Sequence, residues 1–363
     1  MSKTRKLDLS KIYVEKFSPN DIDVDFWVKY HAFNEKCYKE LFPNDSLPNR
    51  KVVEINIIEG WPNYHTLKEI VYSDSSKRKI IAESTFAVNR EDAPGFEENK
   101  HNSYFYILID SDYRRQGLGS LLLKTIVEKA KNRECKFTET DTYYESGKRF
   151  CKKFGGKLIN ESSENRLLLE EVDWELVNNW REEAKEKAPM VVLENYLIVP
   201  EKDITEICAL ETILEKQMPT LDGEEQWTDV YTPEKKREIE RLQQKKGYIN
   251  YTLISREYNG TISGMTEIRY SRTDRPERIN QGLTGVLQEY RGRGIGKWLK
   301  AEMMVYIENH IPEARFIVTG NADHNAPMNS INERLGFKPY YNESSFKFRL
   351  STVLRRMKKM TEE

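Results

Sequence analysis

Apolar positions along the chain recur at two periods, about 3.6 and 2, and the switching between them predicts helices set among strands. Residues 12–17 alternate and read as a first strand, which Ser18-Pro19-Asn20 breaks. Residues 21–41 then have helical spacing, with Phe26, Tyr30, Phe33 and Cys37 facing inward. Residues 51–72 fit both periods. Val52, Val53, Ile55 and Ile57 suit a strand and residues 64–70 suit a helix, with Trp61-Pro62-Asn63 between them. Residues 80–88 and 104–109 are β-prone, and the polar segment between them carries Ala93-Pro94-Gly95, a turn signal. A helix follows to about residue 131, with Leu118, Leu122 and Ile126 on one face. Residues 135–140 read as a strand and 144–154 as a short helix closed by Gly155-Gly156. A last strand of this half begins at 167.

The order then repeats. Residues 173–188 read as a charged connecting helix that ends at Pro189. After it come a strand from 193, helices over 204–216 and 233–246, and a hairpin of residues 248–256 and 261–268 turning at Asn259-Gly260. A strand over 279–287 leads to a helix ending at Pro312. Residues 315–319, 326–335 and 346–350 read as strand, helix and strand. Between strand and helix lies Tyr290-Arg291-Gly292-Arg293-Gly294-Ile295-Gly296-Lys297. Its counterpart is Tyr113-Arg114-Arg115-Gln116-Gly117-Leu118-Gly119-Ser120, with Arg114, Gly117 and Gly119 at a constant offset from Arg291, Gly294 and Gly296. Repetition of a whole unit indicates two copies of one domain. The expected division is 1–172, a linker over 173–190, and 191–363. A glycine-rich turn opening a helix is an anion seat, because the backbone approaches closely and the first-turn N–H groups are free.

The bulk composition narrows the partners. A chain of 363 residues exceeds a typical single core. A formal net charge of -1 gives no argument for nucleic acid, and Arg355-Arg356-Met357-Lys358-Lys359 reads as a solvated basic tail. No stretch approaches the roughly 18 apolar residues that span a bilayer. Met1 to Lys6 is followed by no apolar segment, so no secretory signal is expected. The four cysteines, Cys37, Cys135, Cys151 and Cys208, form no CxxC pair, and the five histidines lie far apart. The expectation is a reduced cytoplasmic protein without disulfides or a metal, as a monomer or homodimer.

Arg-x-x-Gly-x-Gly between strand and helix resembles the acetyl-coenzyme A site of the GCN5-related N-acetyltransferase superfamily. Both copies are followed by a short helix ending in Phe154-Gly155-Gly156 or Leu335-Gly336-Phe337. The second copy adds Asn321-Ala322-Asp323-His324-Asn325-Ala326-Pro327-Met328. The tandem layout resembles mycothiol synthase and related double-domain acetyltransferases. The resemblance implies an α/β fold: two acyl-CoA N-acyltransferase domains, each a mixed, mostly antiparallel sheet flanked by helices. It implies acetyl-CoA as cosubstrate, with its pyrophosphate on Arg291, Gly292, Arg293, Gly294, Ile295, Gly296 and Lys297. In the first half the matching positions are Arg114, Arg115, Gln116, Gly117, Leu118, Gly119 and Ser120. It further implies a splayed strand ending at Val286 and Leu287 (residues 104–109 in the first half), and Asn325 on the pantetheine arm. The Gly294 and Gly117 turns lack the third glycine of a dinucleotide site, and Gly296-Lys297-Trp298 lacks the hydroxyl of a Walker A loop.

Acyl transfer to an amine needs a base, an oxyanion donor and a means of stabilising the thiolate. Where many family members carry a tyrosine four residues before Gly-Phe, this chain has Asn332, which donates a hydrogen bond but is no general acid. Glu267 is the candidate base, against the alternative of an exposed sheet-face carboxylate. Alternation puts it on one face with Met265. Gln281 and Thr284 are candidate pocket residues. His324, Tyr340 and Tyr341 are weaker acid–base candidates, and Glu289 lies too near the phosphates. In the first half Tyr144 and Cys151 replace Asn325 and Asn332, Glu83 is the nearest carboxylate, and Cys151 reads as packing. The second domain is therefore expected to be catalytic and the first structural or cofactor-binding only. The expected acceptor is the primary amine of a small molecule. A coenzyme A sensor and a peptide acetyltransferase are the alternatives. Residues 217–233 could wall the acceptor pocket.

Overall fold

The computed structural model describes residues 7–217, 230–322 and 325–362. His324 and most of the 217–233 loop lie outside them. The chain forms two compact units. The first runs to Ile159 and returns at Ser344, and the second spans Asn160–Glu343. The units therefore do not coincide with the halves expected at 172 and 191.

In unit 1 the chain runs β1 (Tyr13–Lys16), α1 (Val24–Leu41), α2 (Arg50–Glu59), β2 (Tyr64–Tyr72), β3 (Ile80–Asn89), α3 (Phe96–Asn99), β4 (Asn102–Ile109), α4 (Leu118–Asn132), β5 (Phe137–Thr142) and α5 (Glu145–Lys153). Its sheet order is β1-β2-β3-β4-β5, and residues 344–349 close it. Only β4 and β5 run parallel; the other neighbours are antiparallel. The ambiguous residues 51–72 resolve against the expectation. Asn49 accepts the Lys51 N–H at 2.9 Å and starts α2, and Gly60, at φ 66°, ends it. The β-branched run thus sits in a helix, where a cap overrides weak propensity. Tyr64–Tyr72 is the strand.

Unit 2 begins within β6 (Lys157–Leu168). It continues through α6 (Trp174–Lys187), β7 (Val192–Tyr196), α7 (Glu201–Lys216), α8 (Pro233–Lys245), β8 (Tyr248–Arg256), β9 (Ile262–Ser271), β10 (Arg278–Val286), α9 (Ile295–His310), β11 (Phe316–Ala322) and α10 (Ala326–Leu335). Its sheet order is β6-β11-β10-β9-β8-β7, with only β10 and β11 parallel. The segment expected as a linker is helix α6, capped by Asp173 on the Leu176 N–H at 2.9 Å. Val177, Trp180 and Ala184 bury its inner face in one cluster with Leu299, Met303 and Ile307 of α9. It is a core element of unit 2, hidden in the sequence because its outer face is wholly polar and mostly charged.

The end of the chain also differs from expectation. β12 (Lys338–Arg349) is followed by α11 (Leu350–Glu362), which takes in the predicted basic tail. Within unit 1, Phe346 pairs with Thr140, and Phe346, Phe348, Leu350 and Val353 join the core around Phe86, Phe105 and Ile126. Arg356 donates to the carbonyls of Lys152 and Lys153 at 2.7 and 2.8 Å, capping α5. Unit 2 is closed in turn by β6, whose residues 162–168 pair antiparallel with β11. Each unit thus takes its last sheet strand from the other half of the chain.

Candidate active site

In unit 2 the sheet opens beside the glycine turn. β10 pairs with β11 only from Arg278↔Phe316 to Gln281↔Thr319. On its other side it stays paired with β9, with a bulge between Gln281 and Thr284. Bulges re-aim a strand, and residues 282–286 leave β11. A cavity of about 750 Å³ fills the gap, with Gly282–Val286, Thr319, Gly320 and the glycine turn among its walls.

The turn leaves backbone donors free at the start of a helix, as an anion seat requires. Arg291 Nε donates to the Val286 carbonyl at 2.9 Å and ties the turn to the end of the strand. Gly292 and Gly294 hold φ of 81° and 80°, which L side chains avoid. A Cβ on Gly292 would meet nothing within 4 Å, so its backbone faces open space. α9 starts at Ile295, and the N–H groups of its first turn have no carbonyl within the helix. The expected cations differ from one another. Arg293 is held by both oxygens of Glu257, at 2.9 and 3.0 Å, which offsets its charge. Lys297 lines the cavity and lies over the Trp180 ring at 5.6 Å. Val286 lines the cavity, whereas Leu287 packs into the core and donates its N–H to Ser263.

Asn325 lines the cavity as the N-cap of α10, accepting the Met328 N–H at 3.4 Å. Asn332 does not line it. Its side chain is buried and its Oδ1 accepts a hydrogen bond from Lys300 Nζ at 3.0 Å, while its Nδ2 has no partner. Lys300 itself reaches the cavity wall, and burial pulls its pKa down to about 7.

A second cavity, of about 330 Å³, lies on the other side of the bulge and shares Gln281, Gly282 and Leu283 with the first. Glu267 is on its wall, as alternation requires, with Met265 turned the same way into the core under α7. Glu267 Oε1 accepts from Lys236 Nζ at 2.8 Å and from Thr252 Oγ1 at 3.2 Å. Lys236 also donates to Glu211 Oε1, and the other Glu211 oxygen is buried without a partner. Two carboxylates thus share one ammonium. Burial, and then the charge of Glu267, pushes Glu211 up to about 8. Burial opposes ionisation of Glu267 too, but Lys236 and the Thr252 hydroxyl hold it below the ordinary carboxylate value. The cluster therefore keeps Glu267 ionised and gives Glu211 a proton affinity near neutrality. Gln281 Nε2 donates to Thr266 Oγ1 at 3.0 Å and to the Glu267 carbonyl at 2.6 Å, and Thr266 bonds Thr284 at 2.7 Å. Gln281 and Thr284 are thereby fixed at the bulge.

Sequence reasoning missed Glu211, Lys236 and Lys300. Two of them carried a signal. Glu211 stands in the buried stripe Ile204, Ile207, Leu214 of α7, and Lys300 in the stripe of Met303 and Ile307 on α9. A charge in an apolar stripe is rarely left unpaired. Glu289, Tyr340 and Tyr341 line neither cavity.

Unit 1 repeats the frame and closes the seat. β4 pairs with β5 only as far as Tyr104↔Glu139, and Arg114 Nε donates to the Ile109 carbonyl at 2.8 Å. The cavity is smaller, about 300 Å³. Arg114 is clamped by Glu40 at 2.6 and 2.8 Å and stacks 4.3 Å from the Tyr144 ring. Gln116 accepts the Leu7 N–H at 2.6 Å, and Leu9 stands 3.0 Å from where a Cβ on Gly117 would lie. Phe150 crowds Gly119 in the same way at 3.3 Å. Leu118 is buried in the core, while Arg115 and Ser120 line the cavity. Glu83 is engaged by the Tyr30 hydroxyl at 2.9 Å, and burial lifts the Cys151 thiol to about 12. Arg115 holds φ 62°, the conformation that Gly292 occupies in unit 2. Left-handed backbone costs a non-glycine residue about 1–2 kcal/mol, partly offset by the chain entropy glycine loses. Arg115→Gly is expected to stabilise unit 1 by up to ~1 kcal/mol; a lower melting temperature would contradict the strain.

The chain matches the acetyltransferase (GNAT) family over residues 27–155 and again over 210–337. Among solved structures it is similar to a tandem GNAT protein from the clavulanic acid biosynthesis pathway, at 18% identity and a TM-score of 0.69, over 94% of this chain and 99% of that one. It is similar to a GCN5-related N-acetyltransferase from Sphaerobacter thermophilus, at 15% identity and a TM-score of 0.60, over 93% and 96%. It also matches the glucosamine N-acetyltransferase region of a fungal multi-domain β-N-acetylglucosaminidase, at 13% identity and a TM-score of 0.65, over 93% of this chain and 38% of that one. At these identities the likeness is one of fold. No curated protein matches the sequence. No helix among the described residues is long and apolar enough to cross a membrane.

Proposed function

The chain belongs to the acetyltransferase (GNAT) family, and from that premise we propose that unit 2 transfers an acetyl group from acetyl-CoA to the primary amine of a small molecule, by direct attack in a ternary complex. One observation carries the reading: the cavity on the glycine turn and the acid-lined cavity meet at Gln281–Leu283. The pyrophosphate sits on the N–H groups of residues 292–297. The pantetheine arm follows the unpaired edge of β10 past Asn325, and the thioester lies at the bulge. The amine enters on the Glu267 side. Its ammonium is attracted by the ionised Glu267 and, once Glu211 has lost its proton, by the cluster's excess negative charge, and it gives up a proton to the carboxylates. The open β10 edge offers backbone N–H groups to the developing oxyanion. Unit 1, with its seat narrowed by Tyr144, Phe150 and Leu9, serves as a structural partner without turnover. We further propose that the tandem layout is of the mycothiol-synthase type.

Release of thiol from acetyl-CoA, screened against a panel of small amines, tests this reading. Loss of a general base costs ~10²–10⁴-fold, so Glu267→Gln is expected to lower kcat/KM about 100-fold or more. For the wild type, kcat/KM should rise with pH through about 8, as Glu211 loses its proton. Glu211→Gln should flatten that limb. A rate unaffected by Glu267→Gln removes Glu267 as base. Tight binding of coenzyme A with no thiol release across the panel favours a sensing role.

A further inference from the structure

Lys300 is a cation in an unusual place. It stands one helical turn beyond the glycine turn, only 3% exposed, yet on the wall of the larger cavity. Its only hydrogen-bond partner among the described residues is Asn332 Oδ1 at 3.0 Å, and the Phe337 ring lies 5.5 Å away. Among the described residues no ionised group faces it. On α10, Arg334 lies over Trp180, as does Lys297 on α9. Glu302 of α9 is held by Arg181 and Trp298. A buried ammonium without a counter-ion is costly, and the described residues offer Lys300 an amide oxygen but no charged partner.

The ligand can supply one. Acyl-CoA has two anionic parts, its phosphates and, once the acyl group has left, its thiolate. The phosphates belong at the first turn of α9, near Lys297. We propose that Lys300 receives the thiolate and gives it a proton. The proposal rests on reading unit 2 as an acyl-CoA transferase. In the collapse of the tetrahedral adduct the C–S bond breaks and its electron pair passes to sulfur. A proton then moves from Nζ to sulfur, leaving free coenzyme A thiol and a neutral lysine that regains its proton from solvent. Asn332 does not touch the sulfur. It is a positioning residue that holds the amine at the wall, in the place where a tyrosine would otherwise act.

One proton shared by nitrogen and sulfur sets a pH window. Burial brings Lys300 to about 7, while a free thiol titrates near about 8.5. Between those values the amine is neutral and the thiol protonated, so the pair meets with one proton between two heavy atoms and forms a strong hydrogen bond or ion pair. Below about 7 both are protonated, and two donors face each other. Above the window both have lost their protons.

Calorimetric binding of coenzyme A and of desulfo-coenzyme A, which lacks the sulfur, tests this without knowledge of the acceptor. A hydrogen bond to a charged group contributes about 1.5–3 kcal/mol, so coenzyme A should bind roughly tenfold tighter than the desulfo analogue at pH 8. The two should converge at pH 6. Lys300→Met should abolish the preference and leave the affinity for the desulfo analogue intact. Asn332→Asp places a carboxylate beside the ammonium, raises its proton affinity and should move the lower edge of the window upward. Equal binding of both ligands by the wild type at every pH overturns the proposal, even if Lys300→Met fails to fold. So does a preference that survives Lys300→Met. If neither ligand binds, the acyl-CoA reading itself fails, and the role of Lys300 with it.

Discussion

Gly294→Glu is expected to lower kcat/KM for acetyl-CoA by about 1000-fold or more, while Gly117→Glu leaves it within about twofold. Packing is not the cause at 294, since a Cβ there would approach only Ala184, at 3.8 Å. Two other effects add. At φ 80° a side chain costs about 1–2 kcal/mol. A carboxylate about 5 Å from a phosphate adds ~3 kcal/mol of repulsion at an effective dielectric constant near 20. Together they approach 5 kcal/mol, against 1.4 per tenfold change. Gly294→Ala separates the terms, because it keeps only the strain and should cost about 5- to 30-fold. Steady-state kinetics on the three variants decide the matter. Turnover that survives damage at 294 and is lost at 117 would reverse the roles of the two units.

Ending the chain at Glu343 is expected to unfold unit 1, almost at the opposite end of the sequence. The deletion removes the strand residues paired with β5, and with them Phe346, Phe348, Leu350 and Val353, each at most 5% exposed. Burying such side chains contributes about 1.5–3 kcal/mol apiece. Four of them amount to most of the ~5–15 kcal/mol that holds a domain together. Limited proteolysis should then cleave freely between residues 7 and 159, and a peptide of residues 344–363 added in trans should restore protection. A truncated protein that melts like the full chain would show that unit 1 needs no such closure.

The glycine turns and the Asn325–Phe337 segment were legible because they are local, whereas the splayed strand before each turn came only from the family resemblance. The local features need only a few consecutive residues with a fixed backbone or cap. Glu267 was legible through alternation, one step further. Its environment was not, because Glu211 and Lys236 arrive from α7 and α8, and only tertiary packing brings three charges to one point. Asn332 was read from its register in the motif as a group facing the thioester. The structure turns it instead to Lys300, a pairing between helices that no local rule encodes. The helix α6 was read over 173–188, but its place in the core escaped, for the opposite reason. Three buried residues, Val177, Trp180 and Ala184, are a thin stripe on a charged helix. The exchange of closing strands was invisible, because β6 and the end of β12 suit either sheet equally by pattern, and the choice is made by partners far along the chain.

That exchange has a consequence for the time at which the protein becomes whole. A ribosome adds ~5–20 residues per second, so residues 160–343 take on the order of 10–40 s to appear after the body of unit 1 has emerged. Throughout that interval β5 presents an unpaired edge, with the core around Phe105 and Ile126 lacking the side chains that cover it. Open edges beside apolar surface invite pairing with other chains. Of the two units, the one whose body is made first is the last to be completed, and the yield in a cell should respond to whatever shelters nascent chains during that wait.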